Sequence, residues 1–421
     1  MAEKVEFYKE TEYRDTEIGR IPKDWEVMKL GNVITYVKGK KPKGMTEEHQ
    51  REYFPYLSAE YLRNNKVTKF VEPSQDVILV NEGDLILLWD GSNAGEFFWG
   101  KQGILSSTMV RIEQEKPSYD QKFLFYLLKA KESFLKGQTK GTGIPHVNEN
   151  VLNNLVIPDP PLVEQQKIAE ILSIVDEAIQ KTDDIIAKTE RLKKGLMQEL
   201  LTKGIGHKEF KDSEIGRIPK EWEVKKLKEI AEQMYYGLSV SGVETPTQYK
   251  LITTTSINKE TFKIDEGKVP FCNLFTNEDK QTKKLAKYFV KKEDVLVSRS
   301  GTTGVVILVD KDYKNMLFGS YLIKIKLNLL IDPKFFWYFS QSLFYWRQIS
   351  SRGATIKNIN LPILKNLQVP LPSLAEQQKV SEILSSIDEK LENLRREKTT
   401  LEKIKQWFMD VLLTGKIRVI T

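Results

Sequence analysis

A lysine run, two glycine-containing turns and two later polar loops hold the loop residues that could bind an anion. In the first half of the chain these are Lys38, Lys40, Lys41, Lys43, Ser92, Asn93, Lys140, Thr142 and His146. In the second half they are Arg299, Ser300, Thr302, Thr303, Arg352, Thr355, Lys357 and Asn358. Lysine, serine and threonine commonly bind phosphate, whereas arginine and asparagine can also read guanine and adenine edges. These residue types predict a surface that contacts nucleic acid.

The sequence lacks the patterns that catalysis or cofactor binding would require. The three histidines are scattered, Cys272 is the only cysteine, and neither a phosphate-binding G-x-x-x-x-G-K-[ST] loop nor a dinucleotide glycine fingerprint is present. The run Asp159-Pro160-Pro161-Leu162 has leucine where methyltransferases that act on adenine carry an aromatic residue to stack on the flipped base. We therefore expect no catalytic residue, metal site or cofactor in this chain.

Charge is distributed unevenly along the 421 residues. The net charge is +7, yet the segments 162–203 and 374–413 each contain seven basic and eight acidic residues, so the rest of the chain carries nine net positive charges. That excess is where a phosphate-contacting surface is expected. The absence of a long apolar run and of an apolar core near the N-terminus predicts a cytoplasmic protein without a membrane span.

The sequence repeats itself. Residues Tyr13–Val27 and Phe210–Val224 are identical at eleven of fifteen positions, and Ile157–Leu172 returns in similar form as Val369–Leu384. The offsets are 197 and 212 positions, which fits a tandem duplication of a domain-sized unit. Trp25 and Trp222 recur at one repeat position and are predicted to be core anchors.

Apolar residues at alternating steps of three and four predict two long amphipathic helices, each roughly 60 Å long. The apolar seam of the first comprises Ile168, Ile171, Val175, Ile185, Leu192 and Leu196, with Ala178, Thr182 and Thr189 at its other positions. The seam of the second comprises Val380, Ile383, Ile387, Leu394, Leu401, Ile404 and Phe408, interrupted by Lys390 and Glu397. Ser373 and Glu376 predict a capping box for the second helix. We expect the two helices to pair with each other, because a partner stabilises such a long amphipathic helix.

Between these landmarks each unit reads as strands, a glycine turn and an aromatic helix. Asp84 aligns with Asp294, Gly91 with Gly301 and Ala94 with Gly304. The predicted fold is α+β: two globular α/β domains separated by two long helices, which pair as an antiparallel coiled coil with an internal pseudo-twofold repeat.

These features together resemble the specificity subunit of type I restriction–modification enzymes. The resemblance rests on the paired E-Q-Q-K-[IV]-x-E-I-L segments that follow Pro161 and Pro372, on the two I-P-K-x-W segments, and on the glycine turns and late loops. It implies target-recognition domains at 1–160 and 205–372, with conserved helical spacers at 161–204 and 373–421. Each recognition domain would read one half of a split double-stranded DNA site.

The resemblance also implies partners. Two methyltransferase subunits would dock on the helices and a restriction subunit would join them, so that S-adenosylmethionine, ATP and Mg²⁺ belong to those partners and not to this chain.

Two other readings stay open from the residues alone. One is a self-sufficient methyltransferase–nuclease fusion, which the missing cofactor motifs disfavour. The other is a coiled-coil adaptor that binds proteins and not DNA, which binding to duplex DNA would exclude.

Overall fold

The structure is a computed structural model that describes residues 6–114, 119–141, 143–274, 285–301, 303–350 and 358–419. Within these ranges, none of the helices is both long enough and apolar enough to span a membrane. The helices are α1 (Ala59–Asn64), α2 (Gln121–Gly137), α3 (Glu149–Asn153), α4 (Leu162–Lys203), α5 (Leu227–Ile230), α6 (Pro333–Phe339), α7 (Leu343–Ser350), α8 (Leu361–Lys365) and α9 (Leu374–Leu412). Short 3₁₀ turns lie at Leu30–Asn32, Thr254–Ser256, Glu266–Lys268 and Ala286–Tyr288.

The strands fall into two runs that follow the sequence repeat. The first run is β1 (Phe7–Lys9), β2 (Tyr13–Thr16), β3 (Gly19–Pro22), β4 (Glu26–Lys29), β5 (Ile34–Lys38), β6 (Phe54–Leu57), β7 (Phe70–Val71), β8 (Leu79–Val80), β9 (Leu85–Leu88), β10 (Phe97–Trp99), β11 (Gly103–Leu105), β12 (Met109–Gln114) and β13 (Val156–Asp159). The second run is β14 (Phe210–Ser213), β15 (Gly216–Pro219), β16 (Glu223–Lys226), β17 (Ala231–Tyr236), β18 (Gly242–Val243), β19 (Tyr249–Ile252), β20 (Ile257–Asn258), β21 (Lys263–Ile264), β22 (Phe271–Cys272), β23 (Val295–Ser298), β24 (Val306–Leu308), β25 (Met316–Phe318), β26 (Leu322–Leu327), β27 (Gln368–Leu371) and β28 (Ile417–Val419).

The chain forms two compact units, and the division falls within the long helices. Unit 1 comprises residues 1–184 and 396–421, and unit 2 comprises residues 185–395. The four-segment division expected from the sequence stays a prediction, because compactness assigns half of each long helix to each unit.

Unit 1 contains two four-stranded sheets. The first is antiparallel with the order β10-β9-β12-β5, and the second has the order β7-β6-β11-β8 with β6 and β11 parallel. The strand β9 is buried at all four residues, and its sheet packs on α2, whose Phe123, Leu124 and Leu127 are buried in the same core. That core also includes Ile168 of α4 and Leu412 of α9, so the long helices complete the domain.

Unit 2 repeats this arrangement. Its sheets have the orders β17-β26-β23-β24 and β18-β22-β19-β25, the latter with β19 and β25 parallel. The aromatic helix α6 is buried against the first sheet, and Leu201, Val380 and Leu384 of the long helices join the core. Trp25 and Trp222 are buried in their respective cores, which confirms the prediction that they are core anchors.

The long helices pair antiparallel within each unit, as predicted. In unit 1 Asp176 and Asp183 of α4 contact Lys405 and Lys398 of α9 at 2.6 and 2.7 Å. In unit 2 Lys193 of α4 contacts Asp388 of α9 at 2.6 Å, and Glu190 contacts Arg395 at 2.7 Å. Residue numbers rise along one helix as they fall along the other.

In each unit a trio of residues, a tyrosine, an aspartate and a lysine, connects the globular domain to both long helices. In unit 1 the hydroxyl of Tyr126 donates to Asp176 at 2.8 Å, and Asp176 pairs with Lys405. In unit 2 the hydroxyl of Tyr338 donates to Asp388 at 2.8 Å, and Asp388 pairs with Lys193. All three residues of one trio lie 212 positions from their counterparts.

The helix seam differs from the prediction at three apolar positions. Ile185, Leu192 and Ile404 are 43, 56 and 39% exposed, whereas Thr182 and Thr189 are buried. The threonine hydroxyls donate to backbone carbonyls one turn earlier in α4, which satisfies these groups inside the seam. Two paired helices bury only a narrow stripe of side chains between them, so these three seam positions remain exposed.

The glycine turn after β9 and β23 corrects the expected alignment. The backbone N–H of Gly95 donates to the carbonyl of Leu88, and that of Gly304 donates to the carbonyl of Ser298, both at 2.8 Å. Gly95 and Gly304 have φ values of +100° and +86°, a region that favours glycine. Gly304 therefore corresponds to Gly95 and not to Ala94, because the first turn is one residue longer.

Candidate nucleic-acid interface

In each unit the glycine turn and the late loop lie side by side. In unit 1 Gly91 donates to the carbonyl of Pro145 and Val147 donates to that of Trp89, both at 2.9 Å, and Asp90 bridges to His146. In unit 2 Ile359 donates to the carbonyl of Arg299 at 2.8 Å. Ser300 also bridges to Asn358. We call these surfaces face 1 and face 2.

Corresponding strands position both faces. The glycine turn of each face directly follows a strand, β9 or β23, that is buried at all four residues. The neighbouring strand brings Lys38 to face 1 and Tyr236 to face 2, since both pair with corresponding positions of β12 and β26. A close-approach glycine follows each of them: a Cβ on Gly39 or Gly237 would lie 2.1 or 2.3 Å from a backbone oxygen.

Face 1 is polar and partly neutralised. The ammonium of Lys38 pairs with the carboxylate of Asp90 at 2.8 Å. Lys140 and His146 exchange two backbone hydrogen bonds, which hold their exposed side chains on one short hairpin. Ser92 and Asn93 are exposed in the adjacent turn. Of the residues predicted for unit 1, Thr142 lies outside the described residues.

The lysine run does not form a single patch. Lys38 pairs with Asp90 on face 1, whereas Lys43 pairs with Asp76 at 2.9 Å in a different loop. Lys40 and Lys41 lie between them and are exposed. The structure thus places only the first residue of the run against the glycine turn.

Face 2 has different chemistry. The guanidinium of Arg299 lies over the ring of Tyr236, 4.7 Å from its centroid, and the Tyr236 hydroxyl accepts from the backbone N–H of Leu361 at 3.2 Å. Ser300 and Thr303 are half-buried and Asn358 is exposed. Thr302, Arg352, Thr355 and Lys357 lie outside the described residues.

Sequence reasoning predicted Arg299 and Ser300 on face 2 but missed Trp89 and Asp90 on face 1. Trp89 and Asp90 of face 1 occupy the positions of Arg299 and Ser300, because Thr108 and Tyr321 supply the corresponding carbonyls to the first residue of each pair. Trp89 packs against Tyr36 with ring centroids 4.9 Å apart. Burial and a hydrogen bond to Glu149 raise the pKa of Tyr36 to about 12, so it is a neutral donor at ordinary pH. Comparison of the two turns in the sequence could have identified these pairs.

The match with known proteins follows the same repeat. The family model described as "Type I restriction modification DNA specificity domain" matches residues 22–191 and again 219–403. The chain belongs to this family. As a member of the specificity family it recognises DNA sequence and is not itself a catalytic subunit.

Relatives and a solved structure agree over nearly full length. The chain is 42% identical to the type I restriction enzyme MjaVIII specificity subunit of Methanocaldococcus jannaschii, over 99% of this chain and 98% of that protein. It is 32% identical to the putative MjaX specificity subunit of the same organism, over 99% of each. The fold resembles the crystal structure of the S subunit of a type I restriction–modification system from M. genitalium, with a TM-score of 0.61, 16% identity, and coverage of 92 and 96%.

Within the described residues of this specificity chain, no group of three or more histidine, cysteine, aspartate or glutamate side chains could hold a metal ion. The described polar residues of the two faces are hydrogen-bond donors and acceptors of the kinds that contact nucleic acid. Recognition is the chemistry that this arrangement can perform.

Proposed function

We propose that face 1 and face 2 each read one half of a split double-stranded DNA site. The observation that carries the proposal is made in both units. The glycine turn contacts the late loop at the same end of the sheet, and the side chains there differ between the two copies. A common backbone presents unlike residues, so the two half-sites should differ in sequence. Lys38, Lys40, Lys41, Lys140 and His146 supply phosphate-binding groups near face 1.

The long helices determine the spacing between the half-sites. Their 212-position correspondence runs without insertion or deletion, and the repeated trio fixes each domain to both helices. Half-site spacing follows from the geometry of the connector, as in dimeric DNA-binding proteins. Since each base pair adds about 3.4 Å along the duplex, a change in helix length alters the spacer.

The exposed apolar residues of the helices are the proposed docking surface for two methyltransferase subunits. Val163, Ile174 and Leu192 of α4 and Leu374 and Ile404 of α9 are exposed. The partners bind S-adenosylmethionine, ATP and Mg²⁺, a restriction subunit joins this core, and the complex works in the cytoplasm. Apolar surface on helices already paired on one side favours protein partners.

A methylation map tests the proposal. Cells that express this chain with the methyltransferase encoded beside it are compared with cells that express the methyltransferase alone. We expect a new split motif of two unlike half-sites with one fixed spacer. Unchanged methylation, with both proteins soluble and associated, would contradict DNA reading and favour the protein-adaptor alternative.

A further inference from the structure

The side chain of Arg299 on face 2 has no hydrogen-bond acceptor among the residues that the structure describes. Its Nε is buried and makes no hydrogen bond, and the described residues offer its guanidinium neither a carboxylate nor a carbonyl. Arg63, Arg111 and Arg418, by contrast, all pair with carboxylates. A buried donor left unpaired is costly, so such a group requires an explanation, and an acceptor on a bound partner is one that fits a residue of a candidate binding face.

The surroundings of Arg299 hold it in place for that acceptor. Its backbone N–H donates to the carbonyl of Tyr321 at 2.9 Å, and its own carbonyl accepts from Ile359 at 2.8 Å. The ring of Tyr236 covers the guanidinium, and the bond from Leu361 to the Tyr236 hydroxyl fixes that ring. Arginine stacked on an aromatic ring loses little further freedom on binding.

In the described part of face 1, no arginine occupies the equivalent position. Trp89 occupies the position of Arg299 and packs on Tyr36, and Lys38, which occupies the position of Tyr236, is paired with Asp90. The indole offers one N–H donor where the guanidinium offers a planar fork of five. The two copies therefore differ most sharply at this position.

We infer that Arg299, supported by Tyr236, reads a guanine in the half-site bound by unit 2, and that the half-site of unit 1 is read without such a contact. The inference rests on the proposed function. A fixed guanidinium fork matches the O6 and N7 acceptors of guanine, the commonest specific arginine contact in the major groove. A mobile surface lysine suffices for phosphate, whereas a half-buried arginine clamped at its backbone and ring suits a base edge.

Methylation maps of Arg299→Ala and Arg299→Lys, each expressed with the methyltransferase, test this inference. In wild type one half-site should contain an invariant guanine, and both variants should relax that position alone, with a discrimination loss of about 5- to 150-fold. Trp89→Ala is the matched control and should leave this half-site unchanged. Melting curves and association with the methyltransferase establish that each variant is folded.

Duplex binding by the purified complex sharpens the test. Replacement of that guanine by 7-deazaguanine, which lacks the N7 acceptor, should weaken wild type and have no further effect on Arg299→Ala. A uniform loss of binding that Arg299→Lys restores would identify a phosphate contact and overturn the inference. An unchanged motif in both variants would overturn it as well, while the absence of any motif in wild type would overturn the proposed function and the inference together.

Discussion

The two units anchor their tryptophans to the long helices in the same way but complete the anchor with different side chains. In unit 1 the indole N–H of Trp25 donates to Glu164 at 3.0 Å, and in unit 2 that of Trp222 donates to Glu376 at 3.0 Å. The other carboxylate oxygen contacts Arg418 at 2.6 Å in unit 1 and His207 at 2.9 Å in unit 2. The repeat therefore keeps the tryptophan and the glutamate and varies their partner.

The difference shows which parts of the chain each unit depends on. His207 lies shortly after α4, which ends at Lys203, whereas Arg418 lies on β28, which pairs with β1. Arg418 is buried and also contacts Glu10 and Asp24, both at 2.8 Å. Unit 1 thus depends on strand β28, which follows α9, at the position where unit 2 uses the segment that follows α4.

Arg418→Ala should be the most destabilising single change in this comparison. It leaves Glu164 and Glu10 buried without their cation, a situation that typically costs about 3–5 kcal/mol. His207→Ala, the matched change in unit 2, removes one bond to a charged group and should cost about 1–3 kcal/mol. Hydrogen exchange of peptides around Trp25 and Trp222 measures the stability of the two units separately. Equal losses of protection would mean that the two anchors contribute equally to stability, contrary to this prediction.

Acid should weaken unit 1 through the same cluster. The hydrogen bond from Arg418 lowers the pKa of Asp24 below its usual 3.8. Burial tends to raise the pKa of Glu10, but backbone N–H groups and Arg418 outweigh it and hold that pKa below 4.5. A carboxylate whose pKa is lower in the folded state than in the unfolded state stabilises the fold at pH values above its unfolded pKa. That stabilisation is lost as the pH falls through the folded pKa.

The Arg418→Ala variant should therefore lose less stability than wild type between about pH 5 and pH 3. Urea titrations across that range measure how steeply the free energy of unfolding of each protein changes with pH. Parallel slopes would show that Arg418 does not control these carboxylates.

Face 1 becomes more like face 2 when Asp90 is replaced by serine, the residue at the corresponding position, Ser300. Asp90→Ser removes a negative charge from face 1 and releases Lys38, so binding to non-cognate duplex should tighten several-fold. One added phosphate contact should steepen the salt dependence of log K by about 0.9. Fluorescence anisotropy between 50 and 200 mM salt, with Ser300→Asp as the reciprocal control, checks this; a weaker Asp90→Ser variant would refute the charge argument.

The repeat made the architecture predictable, because matched segments such as those at Trp25 and Trp222 mark corresponding places in two copies of one fold. Local patterns were less reliable where tertiary partners compete. Ser373 does cap α9, with its hydroxyl accepting from Glu376 N–H at 3.3 Å. The predicted capping box is nevertheless wrong for the Glu376 side chain, which bonds instead to Trp222, His207 and the N–H of Ile205.

Prediction from the sequence was also incomplete for face 1 and face 2. Residue type and position indicated Lys38, His146 and Asn358, and the fold brings Lys38 and both late loops to the glycine turns. Nothing in the sequence reveals that Lys38 is paired with Asp90 or that Tyr236 lies beneath Arg299, since pairing depends on strand register. An alignment that lacks the extra residue of the first turn also misplaces Gly95.

The smallest expected effects concern the lysines of the repeated trio. Lys405→Ala and Lys193→Ala each remove one partly exposed ion pair to Asp176 or Asp388, which should cost about 0.2–1 kcal/mol and less at high salt. Because both lysines also lie near a tyrosine ring, Tyr126 at 5.5 Å and Tyr338 at 6.0 Å, their costs should match. Hydrogen exchange of α2 and α6 peptides compares them. A clear inequality would mean that the sequence repeat preserves the contacts of the trio but not the energy with which each domain is held to the helices.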